Sequence, residues 1–400
     1  PPLALKPQSK QDRECGCELK FFNNRLGLDL TWYKENTLNQ IMSIAISRTT
    51  GFSSKRINAG NLQNMGLELQ LYATPVETPN FSWDINLNWA TNENKVIELL
   101  VDEETGEETL NYLYLYSASW SAQVHARPGE EYGVLWGYAV VKEDATPVYY
   151  DEAETQLSHW EYSGRYLINP KYSASGAENS NSGLFYRSNS RTKLGNVYPD
   201  WFGGVTNSLR FKDLTASFTI DFRKGGVIYS ITDWFGAMSG LLEKTAAINE
   251  NGMNIREPVA EGGGIKLEGV YGRVNSDGTI QLTDADGNPV AEPVVNTTYV
   301  SAQDYFKDYW GKNELSVFDA SYVKLREVAI GYDFRNIDIL SRLGVKGLKF
   351  SLVGRNLFIF HKNTPDIDPE TGMGAGNYVG METNAIPTVR SMGFDLKLNF

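Results

Sequence analysis

The chain has 400 residues, with 37 Lys and Arg against 49 Asp and Glu, which gives a formal net charge of −12. This acidic balance argues against a nucleic-acid-binding protein, because a nucleic acid is bound through a basic surface. No stretch approaches the run of about 18 apolar residues that a transmembrane helix requires.

Alternation of apolar and polar side chains predicts β-strands along most of the chain. The clearest example runs from Phe81 to Trp89, where every odd position is large and apolar and every even one is Ser, Asp or Asn. A period of two places one face of a strand in hydrocarbon or core and the other in water. Similar patterns predict strands near 15–21, 26–33, 66–72, 218–223, 348–352 and 392–400, and less regular strands over 203–212 and 317–335.

The two cysteines, Cys15 and Cys17, fall on the first of these strands. Side chains two residues apart on a strand point the same way and lie too far apart to form a disulfide. We therefore expect both to act as small apolar residues on a lipid-facing side.

In the strand over 317–335, Lys324 and Arg326 interrupt the alternation, and a β-bulge near Glu327 would switch its faces. Two short helices are expected between the strands, over 234–250 and 302–313.

The connections between the nine predicted strands alternate strictly between short and long. This order is typical of an outer-membrane barrel, which has tight turns on one side and loops on the other, whereas a β-sandwich gives no reason for it. We therefore predict an all-β, antiparallel transmembrane β-barrel. Its long extracellular loops are expected at about 39–57, 96–202, 231–316 and 361–387.

Nine strands alone would leave open edges, which a bilayer does not tolerate because unpaired backbone groups cannot be hydrated there. The chain also begins at Pro1, without an initiator methionine or a signal sequence. We expect residues 1–400 to be the C-terminal part of a longer barrel whose other strands lie upstream.

Several motifs, in order along nearly the whole chain, resemble the SusC/RagA family of TonB-dependent outer-membrane transporters of Bacteroidetes-type bacteria. No one of them is decisive, but the series is specific. They are FFNNRL (21–26), TWYK (31–34), NMGLE (64–68), GNVYPDWFGG (195–204), ASYVKLR (320–326), GRNLF (354–358) and DPE (368–370).

The resemblance implies a barrel of about 22 strands, with the plug and the TonB box expected upstream of Pro1 and absent from this segment. It also implies a SusD-like surface lipoprotein as a lid, the TonB complex as a source of energy, and a dimer of the transporter–lipoprotein pair. The implied activity is active import of a large nutrient. A glycan or oligosaccharide is the leading substrate class and a peptide the next.

Two other functions remain open from the sequence. A siderophore or cobalamin receptor of the TonB-dependent type would lack the SusD-like lid. A surface adhesin or structural β-protein would need no plug. We expect no enzyme, because the sequence contains no nucleophile elbow, phosphate-binding loop or paired catalytic carboxylates in a supporting context.

The last predicted strand alternates up to a terminal aromatic residue, as the final strand of an outer-membrane barrel usually does. Here Phe394, Leu396, Leu398 and Phe400 alternate with small or polar residues. We expect these four residues to form the terminal strand that directs the barrel's sorting and assembly.

Aromatic residues cluster in the loop over 96–202. We expect them mainly to pack within the loop, and contact with a substrate or a lid protein is the alternative. They are Tyr112, Tyr114, Tyr116, Trp120, Trp136 and Trp160. Polar residues on the strands are expected to line the lumen, hydrate it and contact the plug. They are Glu68, Gln70, Asp84, Asn86, Asn88, Asp221 and Arg223.

Two acidic turns have oxygen ligands at spacings that calcium accepts, around Asp284 and Asp286 and around Asp366 and Asp368. Neither completes an EF-hand loop, and Asx-turn chemistry accounts for both. We expect no other metal or cofactor.

Overall fold

The structure, a computed structural model, describes residues 5–399 apart from 46–50, 53, 59, 101–104, 106–109, 111, 118–121, 150–157, 162–163, 335–346, 373–375 and 377–378.

The main feature is a nine-stranded antiparallel sheet in which the strands follow one another in chain order. Its strands are β1 (Ser9–Phe21), β2 (Leu26–Leu38), β3 (Asn61–Glu77), β4 (Phe81–Glu98), β5 (Trp201–Phe211), β6 (Leu214–Lys224), β7 (Tyr322–Phe334), β8 (Gly347–Lys362) and β9 (Ser391–Asn399). The nine strands predicted from alternation are therefore confirmed.

The sheet has one apolar and one polar face, because cross-strand pairing keeps like side chains in rows. On the apolar face, Leu30 pairs with Leu69 and Leu69 with Trp89. At the other end of the sheet, Leu352 pairs with Phe394, and these two side chains are 58% and 73% exposed. Large apolar side chains exposed in a row mark a surface that contacts a membrane or another protein. Cys15 and Cys17 are free thiols on the same face, opposite Trp32 and Leu30.

A β-bulge at Arg326 keeps the two faces consistent along β7. Ile220 of β6 pairs with Leu325, but the preceding Thr219 pairs with Glu327, so Arg326 is the extra residue. As a result, the apolar side changes from odd to even positions, and Val328 of β7 pairs with Phe218. The predicted switch of faces is present, one residue before the predicted position.

Tight turns join the strands at one end of the sheet. Phe22, Asn23 and Asn24 follow β1 with φ values of 53°, 55° and 67°, and Lys212 follows β5 with a φ of 54°. Asn accepts this left-handed region more readily than most residues, which suits the short connection from β1 to β2.

Four inserts leave the other end of the sheet: the first (39–60), second (99–200), third (225–321) and fourth (363–390). Their strands are Ile41–Ala45, Ser54–Asn58, Leu113–Ser117, Gln123–Ala126, Val134–Gly137, Thr146–Tyr149, Ser158–Glu161, Leu167–Ile168, Thr192–Asn196, Val227–Ser230, Ile265–Lys266, Val270–Val274, Ile280–Leu282, Tyr299–Val300, Val317–Asp319 and Met381–Glu382.

The third insert also contains the helices α1 (Ile231–Met238) and α2 (Ala302–Asp308), with short 3-10 turns at Glu243–Ala246, Val259–Glu261 and Asn313–Ser316. Both helices are shorter than predicted, and α1 begins earlier, at the N-cap Ser230. Left-handed glycines follow both helices, Gly240 after α1 and Gly311 after α2, and such glycines commonly end helices.

The second, third and fourth inserts pack into one body. Strand Leu167–Ile168 of the second insert pairs with Val270–Val274 of the third, and Val227–Ser230 lies between Val317–Asp319 and Met381–Glu382 of the fourth. One buried cluster draws residues from all three inserts: Ala122, Val124, Leu135, Val197, Tyr229, Ile231 and Met381. Among the described residues, the helices are all too short or too polar to cross a membrane.

Candidate functional site

A row of polar side chains, interrupted at Gly204, crosses five strands on the polar face of the sheet. The row runs from Asp29 through Gln70, Asn88 and Gly204 to Asp221, each paired with the next across neighbouring strands. A cavity of about 680 Å³ lies over it. Its lining includes Asp29, Thr31, Glu68, Gln70, Asn88, Phe202, Gly204, Asp221, Arg223 and Tyr322.

The predicted lumen residues Glu68, Gln70, Asn88, Asp221 and Arg223 thus lie together at one cavity. Asp84 lies on the same face but lines a second cavity of about 360 Å³, and its carboxylate accepts a hydrogen bond of 2.7 Å from the Thr74 hydroxyl.

The two sides of the main cavity differ in how firmly their side chains are held. The side chains of Glu68, Gln70 and Asn88 form no hydrogen bond or ion pair with another described residue. Arg223, in contrast, is buried and donates to the carbonyl oxygen of Val197 at 2.9 Å. The cavity therefore combines a fixed cation with exposed carboxylate and amide groups whose hydrogen-bonding capacity is unused within the described chain.

Beside the cavity, a buried ionic network joins the sheet to the fourth insert. Lys324 of β7 is 2% exposed, and its Nζ lies 2.5 Å from Asp368 Oδ1 and 2.6 Å from Glu370 Oε2. The Arg326 guanidinium at the bulge contacts Glu370 Oε1 at 2.6 Å and also pairs with Asp221. The bulge thus places its extra residue, Arg326, in contact with the Glu370 carboxylate of the fourth insert.

This network holds the fourth insert at two places, at residues 368–370 and at residues 388–389. Asp368 accepts hydrogen bonds from the Glu370 amide at 3.1 Å and from the amide and hydroxyl of Thr388, the amide at 3.2 Å. Asn356 of β8 accepts from Arg326 at 3.0 Å and donates to the Val389 carbonyl at 3.3 Å. Asp368 and Thr388, twenty positions apart in the insert, are therefore both fixed near Lys324 of the sheet.

The acids of the network are ionised at neutral pH. Burial opposes ionisation of Asp368, but hydrogen bonds from Lys324 and Thr388 outweigh it and lower the pKa of its carboxyl. Burial likewise opposes ionisation of Glu370, and Arg326 and Lys324 lower its pKa. Because these pKa values are lower in the folded than in the unfolded chain, the stabilisation is complete above about pH 4 and is lost as the pH falls further.

The predicted loop aromatics do not form a single exposed surface. Trp136 is fully buried, whereas Tyr114 is 49% exposed and Tyr116 packs against the core shared by the inserts. Trp120 lies outside the described residues, as does the side chain of Trp160, whose backbone belongs to the strand Ser158–Glu161.

Trp136 and Tyr112 belong to a buried stack centred on His125. The His125 ring lies 5.0 Å from that of Tyr112 and 5.6 Å from that of Trp136, nearly parallel to both. The Arg127 guanidinium lies 4.0 Å from the centre of the Trp136 ring and 5.1 Å from that of Tyr112. Burial, followed by the charges of Arg127 and Arg191, lowers the pKa of His125 to about 3. The stack packs the second insert. Contact with a substrate or a lid protein stays a prediction for Tyr114, Tyr116, Trp120 and Trp160.

One carboxylate in each acidic turn, Asp284 and Asp368, is already hydrogen-bonded within the chain. Asp284 accepts from the amide and the side chain of Asn288 at 2.8 and 2.9 Å, which is Asx-turn geometry. Both oxygens of Asp368 are occupied by the network. Within the described part of the chain, no three His, Cys, Asp or Glu residues group closely enough to hold a metal ion. Calcium binding near Asp284, Asp286 and Asp366 stays an untested prediction.

Phe394, Leu396 and Leu398 all lie on the apolar face of β9, paired with Leu352, Phe350 and Leu348. Phe400 lies outside the described residues. The role of this strand in sorting and assembly stays a prediction.

The sequence analysis missed two features of the site. Phe202 stands out in the sequence only as part of the motif GNVYPDWFGG, yet it lies on the polar face at the cavity and is 47% exposed. Its parity with Gly204 and Thr206 would have shown this. Lys324 and Arg326 were noted only as interruptions of a strand, because their partners are more than 40 residues away in a loop.

Comparison with known proteins agrees with this architecture. The chain is 24% identical over 389 residues to TonB-dependent receptor P39 of Formosa agariphila, covering 89% of this chain and 32% of the relative. It is 23% identical over 403 residues to TonB-dependent receptor SusC of Bacteroides thetaiotaomicron, covering 99% of this chain and 32% of the relative. The chain thus spans about a third of the length of the curated relatives it matches.

Among solved structures, the chain is similar to the RagAB peptide importer in its closed-closed state. The TM-score is 0.61 at 16% identity, covering 98% of this chain and 35% of that chain. This likeness shows the β-barrel transporter fold. No protein-family model matches the chain. The matched relatives are receptors and importers rather than enzymes, as predicted.

Proposed function

We propose that this chain, a SusC/RagA-type TonB-dependent transporter segment of the outer membrane, supplies nine strands of the wall through which a large nutrient is actively imported. The observation that carries the proposal is the two-faced sheet. Its apolar face suits lipid, while its polar face holds a row of hydrogen-bonding side chains from Asp29 to Asp221 that suits a hydrated lumen.

Import of a large solute fits the packing of the inserts. Three long inserts pack into one body at one end of the sheet, and the ionic network fixes the fourth to the wall. We assign this end to the extracellular side, where long loops of such barrels collect. The body would then shape the entrance to the lumen.

We further propose that a SusD-like lipoprotein covers this entrance and that the TonB complex supplies the energy through a part of the protein upstream of this segment. The third insert presents apolar side chains that a lid would cover, with Leu241, Ile248 and Trp310 exposed by 82%, 64% and 53%. A dimer of the transporter–lipoprotein pair is part of the same proposal.

An oligosaccharide is the first candidate substrate, because carboxylate and amide side chains line the cavity and such groups pair readily with hydroxyls. A peptide is the second candidate, because the structural neighbour RagAB is a peptide importer. A siderophore or cobalamin receptor would need no lid.

The test is an uptake measurement on cells that express the full-length protein together with the proposed SusD-like lipoprotein. Fluorescent neutral oligosaccharides and oligopeptides are offered to cells with and without functional TonB. We expect TonB-dependent uptake of one class and co-purification of a lipidated partner in mild detergent. Absence of uptake of either class would refute the import function, and purification without a lipidated partner would favour a siderophore-type receptor.

A further inference from the structure

We propose that the depression over Gly204 is a subsite for one ring of a neutral oligosaccharide, with Phe202 as its stacking platform. The inference rests on the proposed import function and narrows it to a substrate class and a place on the wall.

Phe202 supplies the apolar surface of the subsite. It pairs with Ala90 and Arg223, which line the same cavity, so its side chain belongs to the polar face. An aromatic ring left 47% exposed there has no hydrocarbon to face. The C–H face of a sugar ring is apolar while its edge is hydroxylated, so stacking would cover Phe202 without dehydrating the polar groups beside it.

Gly204 supplies the space. A Cβ atom there would lie 3.1 Å from Asp221 Oδ1 and 3.3 Å from Asn88 Oδ1, so any side chain would fill the gap between these two groups. The φ of Gly204 is not in the left-handed region that demands glycine. Gly203 is different, because a Cβ there would lie 2.2 Å from the Asn88 carbonyl oxygen. Close packing against the neighbouring strand therefore explains why residue 203 is glycine. At residue 204, glycine leaves open the space between the Asp221 and Asn88 side chains.

The polar groups around this floor suit hydroxyls. Asp221 is held by Arg326 and Arg223 by the Val197 carbonyl, so both are preorganised. Glu68, Gln70 and Asn88 are exposed, and their side chains make no hydrogen bond with another described residue. A carboxylate and two amides can each engage hydroxyls on the edge of a ring.

The charge of the lining selects a neutral glycan. Asp29, Glu68 and Asp221 face the cavity with Arg223 as a cation among them. Because Asp221 is already paired with Arg326, the carboxylates of Asp29 and Glu68 remain against the Arg223 guanidinium. This excess of negative charge would disfavour a polyanionic glycan such as a uronate polymer. The cavity volume of about 680 Å³ lies within the range usual for small-molecule sites.

The experiment measures binding to the full-length transporter purified with its lipoprotein. The probes are neutral hexasaccharides of α-glucan, β-glucan, xylan and mannan, a hexamer of galacturonate, and penta-alanine. The variants are Phe202→Leu, Phe202→Tyr and Gly204→Ala. Phe211→Leu is the matched control, since Phe211 is a 55% exposed phenylalanine of the same strand on the apolar face.

We expect wild-type protein to bind at least one neutral hexasaccharide and not the galacturonate hexamer. Phe202→Leu and Gly204→Ala should each weaken that binding by about tenfold, and Phe202→Tyr, which keeps an aromatic ring, should weaken it less than Phe202→Leu does. Phe211→Leu should leave it unchanged. All variants should reach the outer membrane in equal amounts, which separates a binding defect from a folding defect.

Neutral hexasaccharide binding that is unaffected by Phe202→Leu and Gly204→Ala would overturn the subsite and leave the import function standing. Binding of penta-alanine or galacturonate alone would overturn the substrate class. A wild-type protein that supports no TonB-dependent uptake in cells would refute the import function itself.

Discussion

Lys324 is a buried charged residue within strand β7 of the main sheet. Its ammonium is 2% exposed and contacts two carboxylates of the fourth insert. Taking an ion out of water costs several kcal/mol unless partners of opposite charge replace the solvent. The position of the fourth insert therefore depends on Lys324, and burial of the Lys324 ammonium depends on the two carboxylates of the insert.

Replacing Lys324 by Met should release the fourth insert from the wall. Removing one partner of a buried pair typically destabilises by about 3–5 kcal/mol, because the other charge is left uncompensated. We expect faster hydrogen exchange across 363–372 and 384–390 in the full-length protein. Lys20→Met is the matched control, since Lys20 pairs with Glu18 at 2.6 Å on the exposed surface of β1, and it should leave exchange of the insert unchanged. Equal protection of the insert in Lys324→Met and wild type would contradict the anchoring role.

His125 should make the second insert sensitive to mild acid. Burial, with Arg127 and Arg191 nearby, lowers the pKa of His125 to about 3, whereas histidine in an unfolded chain has a pKa of about 6.5. Between these values the unfolded chain binds a proton that the folded chain does not, so folding stability falls as the pH drops. Lowering the pH from 6.5 to 5 should cost up to about 2 kcal/mol.

The measurement is hydrogen exchange of residues 122–137 at pH 7 and pH 5, corrected for the intrinsic exchange rates. His125→Phe retains an aromatic ring between Tyr112 and Trp136 and should abolish most of the pH dependence. An identical pH dependence in the variant would show that another group titrates.

At the scale of the strand, Gly66 and Tyr33 form a cross-strand pair in which the ring covers the glycine. They are paired between β2 and β3, and a Cβ on Gly66 would lie 2.4 Å from the Thr91 carbonyl oxygen and 2.5 Å from the Tyr33 hydroxyl oxygen. Aromatic cover of a strand glycine is a known device for fixing register.

Gly66→Ala should therefore destabilise the sheet by about 1–3 kcal/mol through overpacking. Gly16→Ala on β1 is the control, because its Cβ would meet nothing closer than the Thr31 hydroxyl at 3.5 Å. The readout is the denaturant midpoint of the full-length protein in detergent. Equal midpoints for the two variants would show that β2 and β3 are not packed as described.

Alternation predicted the strands well because one face of each strand meets lipid and the other water, so composition follows register directly. It also predicted the bulge in β7, because Lys324 and Arg326 break the period. It could not predict the inserts, whose strands are two to five residues long and pair across separate parts of the chain, as Leu167–Ile168 does with Val270–Val274. Likewise, the sequence could not decide whether Trp136 contacts a substrate or packs within its loop, because nothing local reveals that His125 and Arg127 pack against it.

At the scale of the whole molecule, the described chain forms a nine-stranded sheet, and the second, third and fourth inserts pack into one body at one end of that sheet. The Asp221 end of the polar row and the ionic network around Lys324 lie where the sheet and this body meet. A solute captured among the inserts would therefore reach the lumen wall at the cavity containing Phe202 and Gly204.

The central claim is that this sheet separates lipid from a water-filled lumen. Single cysteines placed along β4 in the full-length protein, with Cys15 and Cys17 replaced by serine, test it most directly in intact outer membranes. We expect cysteines at 84, 86 and 88 to react with a charged, membrane-impermeant maleimide. Cysteines at 83, 85 and 87 should react with a lipid-soluble one and not with the charged reagent. Uniform reaction of all six positions with the charged reagent would contradict the account.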